Sequence, residues 1–520
     1  MAAQGGDDLR EGLSTVTRGT IVVIVSTLGL VLFNFLTRVL IVRSVSMANW
    51  SAFSLGLALA GILSSVGTLG LPNAVARSLP YAGSDAERRT IIRTSLWATV
   101  ASSAVLAALL LTTAPRLSTL LGEPQLALGL QFFAVAIGAS ILSSLLAAIF
   151  QGYADVVPNA LFVQILSPGL FLVFLEAALL LPAGHLTYEA ALASYALANG
   201  VTLGAVALYT LRRLPRRLPP GPGASEAQGR LLRFAAPLLV AGAMVSLAGF
   251  GDTVVLGIYN HAEVGTYTAS LTLARLLQIG IGAASYIFLP VATRFLRGGN
   301  ARAIQLTYAT VTKWMVLLSL PLFFLFVVLP QRSLEFVYGG DYSVVVLPLQ
   351  FAVTGAFVAT LLGPGATTQI AFGRARLLAY NSIAAGAADV GIALALVPTY
   401  GYVGAAVAWG TSTALYAGLC LAELAFLDDI HPFRRSLAVP LLVAIVPALL
   451  ILPFRASIRP IELPLIGLLV AALFVLAILG TGSIDEGDGL LLGAVEGMIG
   501  RPLGFLRRLG RWSLRRHGSR

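Results

Sequence analysis

Fourteen long apolar runs, separated by short polar breaks, make up most of this chain. Each is close to the roughly 20 residues a helix needs to cross the hydrocarbon core of a bilayer. They fall near 19–42, 50–72, 91–112, 127–150, 159–181, 188–210, 231–256, 263–290, 308–330, 343–365, 377–398, 402–426, 436–453 and 461–480. Some breaks are only a few residues long. Pro182 and Gly184 mark the turn after the fifth run, and Pro398, Gly401 and Gly404 the turn after the eleventh. The pattern predicts an all-α polytopic membrane protein of about fourteen transmembrane helices. The polar stretch 1–18 lacks the basic n-region and small-residue cleavage site of a secretory signal, so it is expected to remain as a cytoplasmic lead-in.

Composition narrows the class. The chain is 57% apolar and 11% charged, against about 45–50% and about 25% for soluble domains. The net charge of +11 suggests nucleic acid until the basic residues are placed. With the N-terminus inside, 26 of the 34 Lys and Arg fall in the cytoplasmic segments, five in the outer loops, and Arg38, Arg275 and Lys313 within spans. That asymmetry is the positive-inside rule. It puts both termini in the cytoplasm of a cell-membrane protein and removes nucleic acid as a partner. A single cysteine, Cys420, excludes a disulfide framework, and four scattered histidines offer no zinc pair. Walker A, GxSxG and HExxH patterns are missing, so no enzyme, cofactor or metal site is expected.

The longest inner loop, 211–230, is rich in Pro and Gly and reads as a linker. In the tail, 481–520, Leu503, Leu506, Leu509 and Trp512 recur among Arg507, Arg508, Arg511, Arg515 and Arg516. That is either a basic amphipathic helix on the anionic inner leaflet or a loose positive-inside tail. The halves are related. A shift of 214 lays Ala48–Ser54 on Ala262–Thr268, and a shift of 215 lays Ala190–Ala193 on Ala405–Ala408. The repeats would be an N-lobe, 19–210, and a C-lobe, 231–426, followed by two extra helices in 427–480. Six spans per repeat put both halves in the same orientation, a transporter architecture with its substrate site between the lobes.

Four stretches carry a family likeness. Gly67-Thr68-Leu69-Gly70-Leu71-Pro72 with Arg77, and Ala262-Glu263-Val264-Gly265-Thr266-Tyr267, resemble the polysaccharide transporters or oligosaccharide flippases. So do Phe336-Val337-Tyr338-Gly339-Gly340-Asp341-Tyr342 and Val397-Pro398-Thr399-Tyr400-Gly401-Tyr402-Val403-Gly404-Ala405-Ala406. The resemblance covers about 15–425. It implies a flippase that moves a polyprenyl-phosphate- or diphosphate-linked oligosaccharide from the inner to the outer leaflet by alternating access, for surface polysaccharide or glycoprotein assembly. It also implies that an arginine in the first span, and basic residues in the eighth, face a central cavity. A monomer is expected.

That work needs cations placed within the spans. A charge at mid-span costs about 2.5–3.5 kcal/mol on insertion scales, and the planar fork of arginine suits phosphate. Arg38 stands one turn after Asn34 and next to Thr37, either lining a cavity or snorkelling to the outer end. Arg275 lies in the eighth run with Thr272 and Gln278 on one helical face, facing either a cavity or an ion-pair partner. Asp252 is open to pairing with Arg38 or Arg275, to binding a coupling cation, or to facing outer water. Glu176 and Asp389 lie deeper in spans, as structural partners or as sites of coupling by Na+ or H+. Arg77, with Arg88, Arg89 and Arg93, satisfies the positive-inside rule or captures phosphate at the inner mouth. A cation-coupled multidrug antiporter of the same superfamily is the rival reading. A membrane glycosyltransferase or polymerase ranks lower, because the outer loops are too short to hold an active site.

Overall fold

The computed structural model describes residues 2–180, 186–213, 224–297, 299–343, 345–481 and 488, and among them every regular element is helical. α1 (Ala2–Ser44) takes in the polar lead-in as well as the first apolar run. Ser46 then caps α2 (Met47–Gly67) by accepting from the Asn49 N–H. Leu69 and Gly70 take positive φ, which ends that helix and leads into α3 (Leu71–Ser78), with Pro72 in its first turn. Ser84 caps α4 (Asp85–Leu120), whose first turn holds Asp85 and Glu87. α5 (Pro124–Gly152) is followed by a wide π turn, Asn159–Leu166, and then by α6 (Ser167–Leu179). Next come α7 (Tyr188–Arg213), α8 (Ala224–Asn260), α9 (Val264–Leu276) and α10 (Ile279–Arg297).

α11 (Ala301–Val328), α12 (Pro330–Tyr338) and α13 (Val346–Leu361) follow. Gly363, at φ 83°, and Pro364 separate α13 from the short α14 (Gly365–Ala371). The Tyr308 hydroxyl donates to the Leu362 carbonyl at 2.6 Å and satisfies a backbone group that this break releases. α15 (Ala375–Tyr400), α16 (Tyr402–Asp428), α17 (Arg435–Ile451) and α18 (Leu463–Thr481) complete the described elements.

Eleven helical runs among the described residues are long and apolar enough to cross a membrane, where the hydrophobic pattern predicts fourteen. The difference has a plain origin. The helical turn His261–Glu263 joins α8 to α9 without a non-helical gap, so the seventh and eighth segments form one run, Glu226–Leu276. The last two segments give only the shorter apolar helices Leu441–Phe454 and Pro460–Leu476. The eighth segment is also not one continuous helix, since it breaks between α9 and α10 at positions 277–278. The linker core, 214–223, and the tail pattern from Leu503 to Trp512 lie outside the described residues.

Two compact units divide the chain: Met1–Thr268 with Asp389–Ala405, and Ala269–Ala388 with Ala406–Arg520. In the first, Leu71, Val75, Ile91, Leu145, Ile149 and Leu231 form a closed core around α3. In the second, Phe288, Tyr308, Met315, Leu424 and Ile430 do the same around α11. Val105, Leu449, Leu468 and Leu476 stay exposed. A soluble protein would bury such residues, whereas hydrocarbon solvates them.

Small residues bring helices together in both units, as is usual where lipid gives helix association no hydrophobic drive. In the first unit, Gly265 at the start of α9 lies against α2, and a Cβ there would sit 2.6 Å from Ser51 Oγ. The Gly265 N–H donates to Ser51 Oγ at 2.8 Å, and Trp50 Nε1 donates to the Gly265 carbonyl at 2.9 Å. One turn on, Thr268 Oγ1 donates to Ser54 Oγ at 3.0 Å. In the second unit, Gly355 of α13 meets Gly410 of α16, and a Cβ on Gly355 would fall 2.2 Å from the Gly410 Cα.

Candidate functional site

Arg38 opens onto a cavity inside the first unit. α1 contributes Asn34, Thr37 and Arg38; α2 contributes Phe53, Leu57, Ala60, Gly61 and Ser64; Ile137 and Ser140 come from α5, Phe171 from α6, Tyr195 from α7 and Phe250 from α8. The cavity measures about 280 Å³. Helical spacing puts Asn34 and Arg38 on one face of α1, one turn apart. The Asn34 amide donates to the Leu30 carbonyl at 2.8 Å. Thr37 Oγ1 donates to the Phe33 carbonyl at 2.9 Å, so its backbone-bonded hydroxyl adds no further donor to the cavity. Arg38 is half-buried and lies close enough to Tyr195 to act on it electrostatically.

The wall behind the cavity is aromatic and closely packed. The Tyr195 ring stands edge-on to Phe171 at 5.2 Å, to Phe133 at 5.4 Å and to Phe53 at 6.4 Å. Phe53 in turn stacks on Phe171 and Trp50. Farther down α1, Ser26 Oγ and Thr27 Oγ1 both donate to Gln164 Oε1, at 2.7 and 3.2 Å. Thr27, on roughly the Arg38 face by sequence, is thus tied to the π turn and does not line the cavity.

A second cluster gathers acids that the sequence places on separate spans. Asp252 of α8 and Asp389 of α15 are both fully buried. The Asp252 N–H donates to Asp389 Oδ2 at 3.0 Å, and the Tyr267 hydroxyl donates to Asp252 Oδ2. Two carboxylates in one dry cluster attract positive charge, which a proton, a metal cation or a guanidinium each supplies. Asp252 therefore does not face outer water. Glu176 is not part of this cluster: it is exposed on the last turns of α6.

The remaining candidates are dispersed. Arg275 ends α9 at the break, half-buried, with its guanidinium carbon 6.0 Å from the centre of the Trp409 ring. Thr272 is buried, and Gln278 sits in the break itself. Arg77 is exposed on α3 and lies over the Phe234 ring at 4.3 Å. That contact satisfies it locally, away from the Arg38 cavity. Outside the spans, Arg374 forks onto Asp428 at 2.5 and 2.8 Å, and this hydrogen-bonded partner pushes its pKa further up. Tyr195 and Phe250 have no signal in the sequence, and Tyr267 stands out only as the end of the Ala262–Tyr267 stretch. Aromatic residues in apolar helices carry no mark that separates a cavity wall from a core.

Comparison with known proteins decides the family. The profile described as polysaccharide biosynthesis protein matches residues 16–296. The chain belongs to that family. The match takes in the stretches at Gly67–Pro72 and Ala262–Tyr267, while those at Phe336–Tyr342 and Val397–Ala406 lie beyond it. Among solved structures, this polysaccharide biosynthesis family member is similar to the lipid II flippase MurJ in an inward closed conformation. There the TM-score is 0.68 at 12% identity, covering 88% of this chain and 98% of that one. It is also similar to an inward-facing multidrug resistance MATE family transporter of the MOP superfamily, with a TM-score of 0.63 at 14% identity over 77% and 94%. A MOP superfamily transporter from Pyrococcus furiosus gives a TM-score of 0.54 at 15% identity over 80% and 95%. None of the curated proteins matches by sequence. The chain is a multi-pass membrane protein whose fold is similar to that of these solved structures.

Proposed function

We propose that this protein is a flippase for a lipid-linked oligosaccharide, carrying a polyprenyl-phosphate- or diphosphate-linked glycan from the inner to the outer leaflet by alternating access. The observation that carries this reading is Arg38 in a cavity lined by both polar groups and aromatic rings, in a chain of the polysaccharide biosynthesis family whose fold is similar to that of known transporters. A phosphate entering an apolar membrane needs a cation already paid for by the fold, and arginine can meet it with two parallel hydrogen bonds. The reading gives the buried Asp252 and Asp389 the coupling role, taking up Na+ or H+ as the transporter cycles. The basic loops put both termini in the cytoplasm.

The test is flipping of the host's lipid-linked oligosaccharide in proteoliposomes. Arg38→Ala is expected to weaken substrate binding by about 30- to 150-fold, the loss of one charge-assisted contact of about 2–3 kcal/mol. Arg38→Lys is expected to recover only part, because an ammonium lacks the fork. An Arg38→Ala protein that flips as fast as the wild type rules the reading out. Orientation is checked separately, by a reporter inserted between Arg213 and Ala224. Activity only on the cytoplasmic side is expected; activity outside reverses the topology.

A further inference from the structure

We infer that the second unit holds a binding site for a small monovalent cation, built on Glu423, Gln369 and Asn381. It is separate from the Asp252–Asp389 cluster, which belongs to the first unit, and it does not depend on which lipid the protein carries.

Close helix packing builds the cluster. Gly365 lets α14 lie against α16, since a Cβ there would come 2.9 Å from the Cys420 Cβ. About one turn further along each helix, Gln369 Nε2 donates to Glu423 Oε2 at 2.8 Å. Asn381 of α15 donates from Nδ2 to the same oxygen at 3.1 Å and to Cys420 Sγ at 3.5 Å. Glu423 therefore sits inside an apolar run, 402–426, where a charge is costly enough to need a reason. α14 is the short piece after the Gly363-Pro364 break, and transporters place ion sites on interrupted helices of this kind.

Two needs of the cluster are unmet among the described residues. The first is positive charge. Both amides are neutral, and no lysine or arginine forms an ion pair with Glu423. Arg374 acts on Glu423 electrostatically, but its guanidinium forks onto Asp428 at 2.5 and 2.8 Å, so that charge is already matched. The second is a donor. Gln369 is fully buried, and its Oε1 has no hydrogen-bond partner. Turning the amide round does not mend this, because Oε1 would then face the carboxylate, acceptor against acceptor. A buried acceptor left in that state is costly.

One cation meets both needs. It can bind Gln369 Oε1 and the Glu423 carboxylate while the two amide hydrogen bonds stay in place. Carboxylate and carbonyl oxygens suit hard cations, and a single carboxylate favours one positive charge over two, because divalent sites gather more acids. Water would satisfy Gln369 Oε1 but leave the charge of Glu423 unbalanced. A proton would neutralise Glu423, yet two N–H donors on one oxygen favour the ionised form.

The experiment measures equilibrium binding of radioactive sodium, and of radioactive rubidium in place of potassium, to the purified full-length protein. Choline chloride holds the ionic strength constant. The wild type is expected to bind at least one of the two ions saturably, and Asp252→Asn with Asp389→Asn to keep one such site per chain. Glu423→Gln, which keeps the shape and removes the charge, is expected to weaken that site by at least about thirtyfold, and Gln369→Leu by about tenfold. Melting in choline alone checks the fold. Glu423→Gln is expected to melt with the wild type there and to lose the rise in melting temperature that the bound ion gives. Should Glu423→Gln fail to fold, Gln369→Leu, which keeps the carboxylate, decides the matter by the same two measurements. The inference is overturned if neither ion binds saturably to the wild type, if Asp252→Asn with Asp389→Asn abolishes all binding in a folded protein, or if folded Glu423→Gln or Gln369→Leu binds as the wild type does.

Discussion

Replacing Lys313 by alanine is expected to cost the protein about 3–5 kcal/mol of stability, the usual cost of stripping one partner from a buried ion pair. Lys313 lies in the middle of α11 at 1% exposure, with its Nζ 2.6 Å from Asp488 Oδ2. The neighbouring Trp314 donates its indole N–H to the other carboxylate oxygen at 2.6 Å. Without the ammonium, the carboxylate of Asp488, only 11% exposed, keeps the indole bond but loses the charge of Lys313. Asp488→Ala is expected to cost a similar amount, by leaving the lysine behind. Lys313→Met combined with Asp488→Leu is expected to restore most of the loss, because apolar residues of similar size replace a buried pair at little cost. Trp314→Phe removes one hydrogen bond and is expected to cost about 1 kcal/mol. Denaturant unfolding in detergent measures all four. A double variant no more stable than either single one would show that the pair is not the source of the loss.

The second large effect concerns packing. Gly355→Leu is expected to abolish accumulation of folded protein, and Gly355→Ala to destabilise it by at least about 1–3 kcal/mol. At Gly355 the added Cβ would meet the Cα, carbon and oxygen of Gly410 at 2.2 to 2.5 Å. These are backbone atoms, which cannot swing aside as a side chain can. α13 and α16 would have to separate along the contact and give up the dispersion that holds helices together in lipid. Gly200→Ala is the control: its Cβ would have nothing within 4 Å, so little change is expected. Yield and melting temperature read the series, and a Gly355→Ala protein that melts with the wild type would refute the packing argument.

The helices were legible in the sequence because a bilayer leaves an apolar run little choice but to satisfy its backbone internally. Each predicted segment reappears as one helix or as a pair of helices. The interruptions were harder to see. Gly363-Pro364 announces a break between α13 and α14, whereas Leu277-Gln278, where α9 gives way to α10, holds no breaker residue. Arg38 was legible because a charge inside a span is costly enough to need a reason. Its aromatic wall was not, since Tyr195 and Phe250 look like any core residues of an apolar helix. Asp252 and Asp389 could each be picked out as acids on apolar spans, though Asp252 was equally open to facing water. Their meeting, across 137 positions, is a fact of tertiary structure, as is the choice of Asp488 as the partner of Lys313.

The contacts between α2 and α9 share one spacing along the chain. Ser51 with Gly265, and Ser54 with Thr268, are each 214 positions apart, the same interval that superimposes one half of the sequence on the other. Each of these residues touches its own counterpart. In an assembly of two identical halves, such a position faces itself, so both sides must carry the same side chain. Two serines would compete for the space at position 51, and two glycines would leave no hydroxyl to accept a hydrogen bond. Joining the halves in one chain lifts that restriction, so one copy can keep the hydroxyl while the other gives up its side chain to make room.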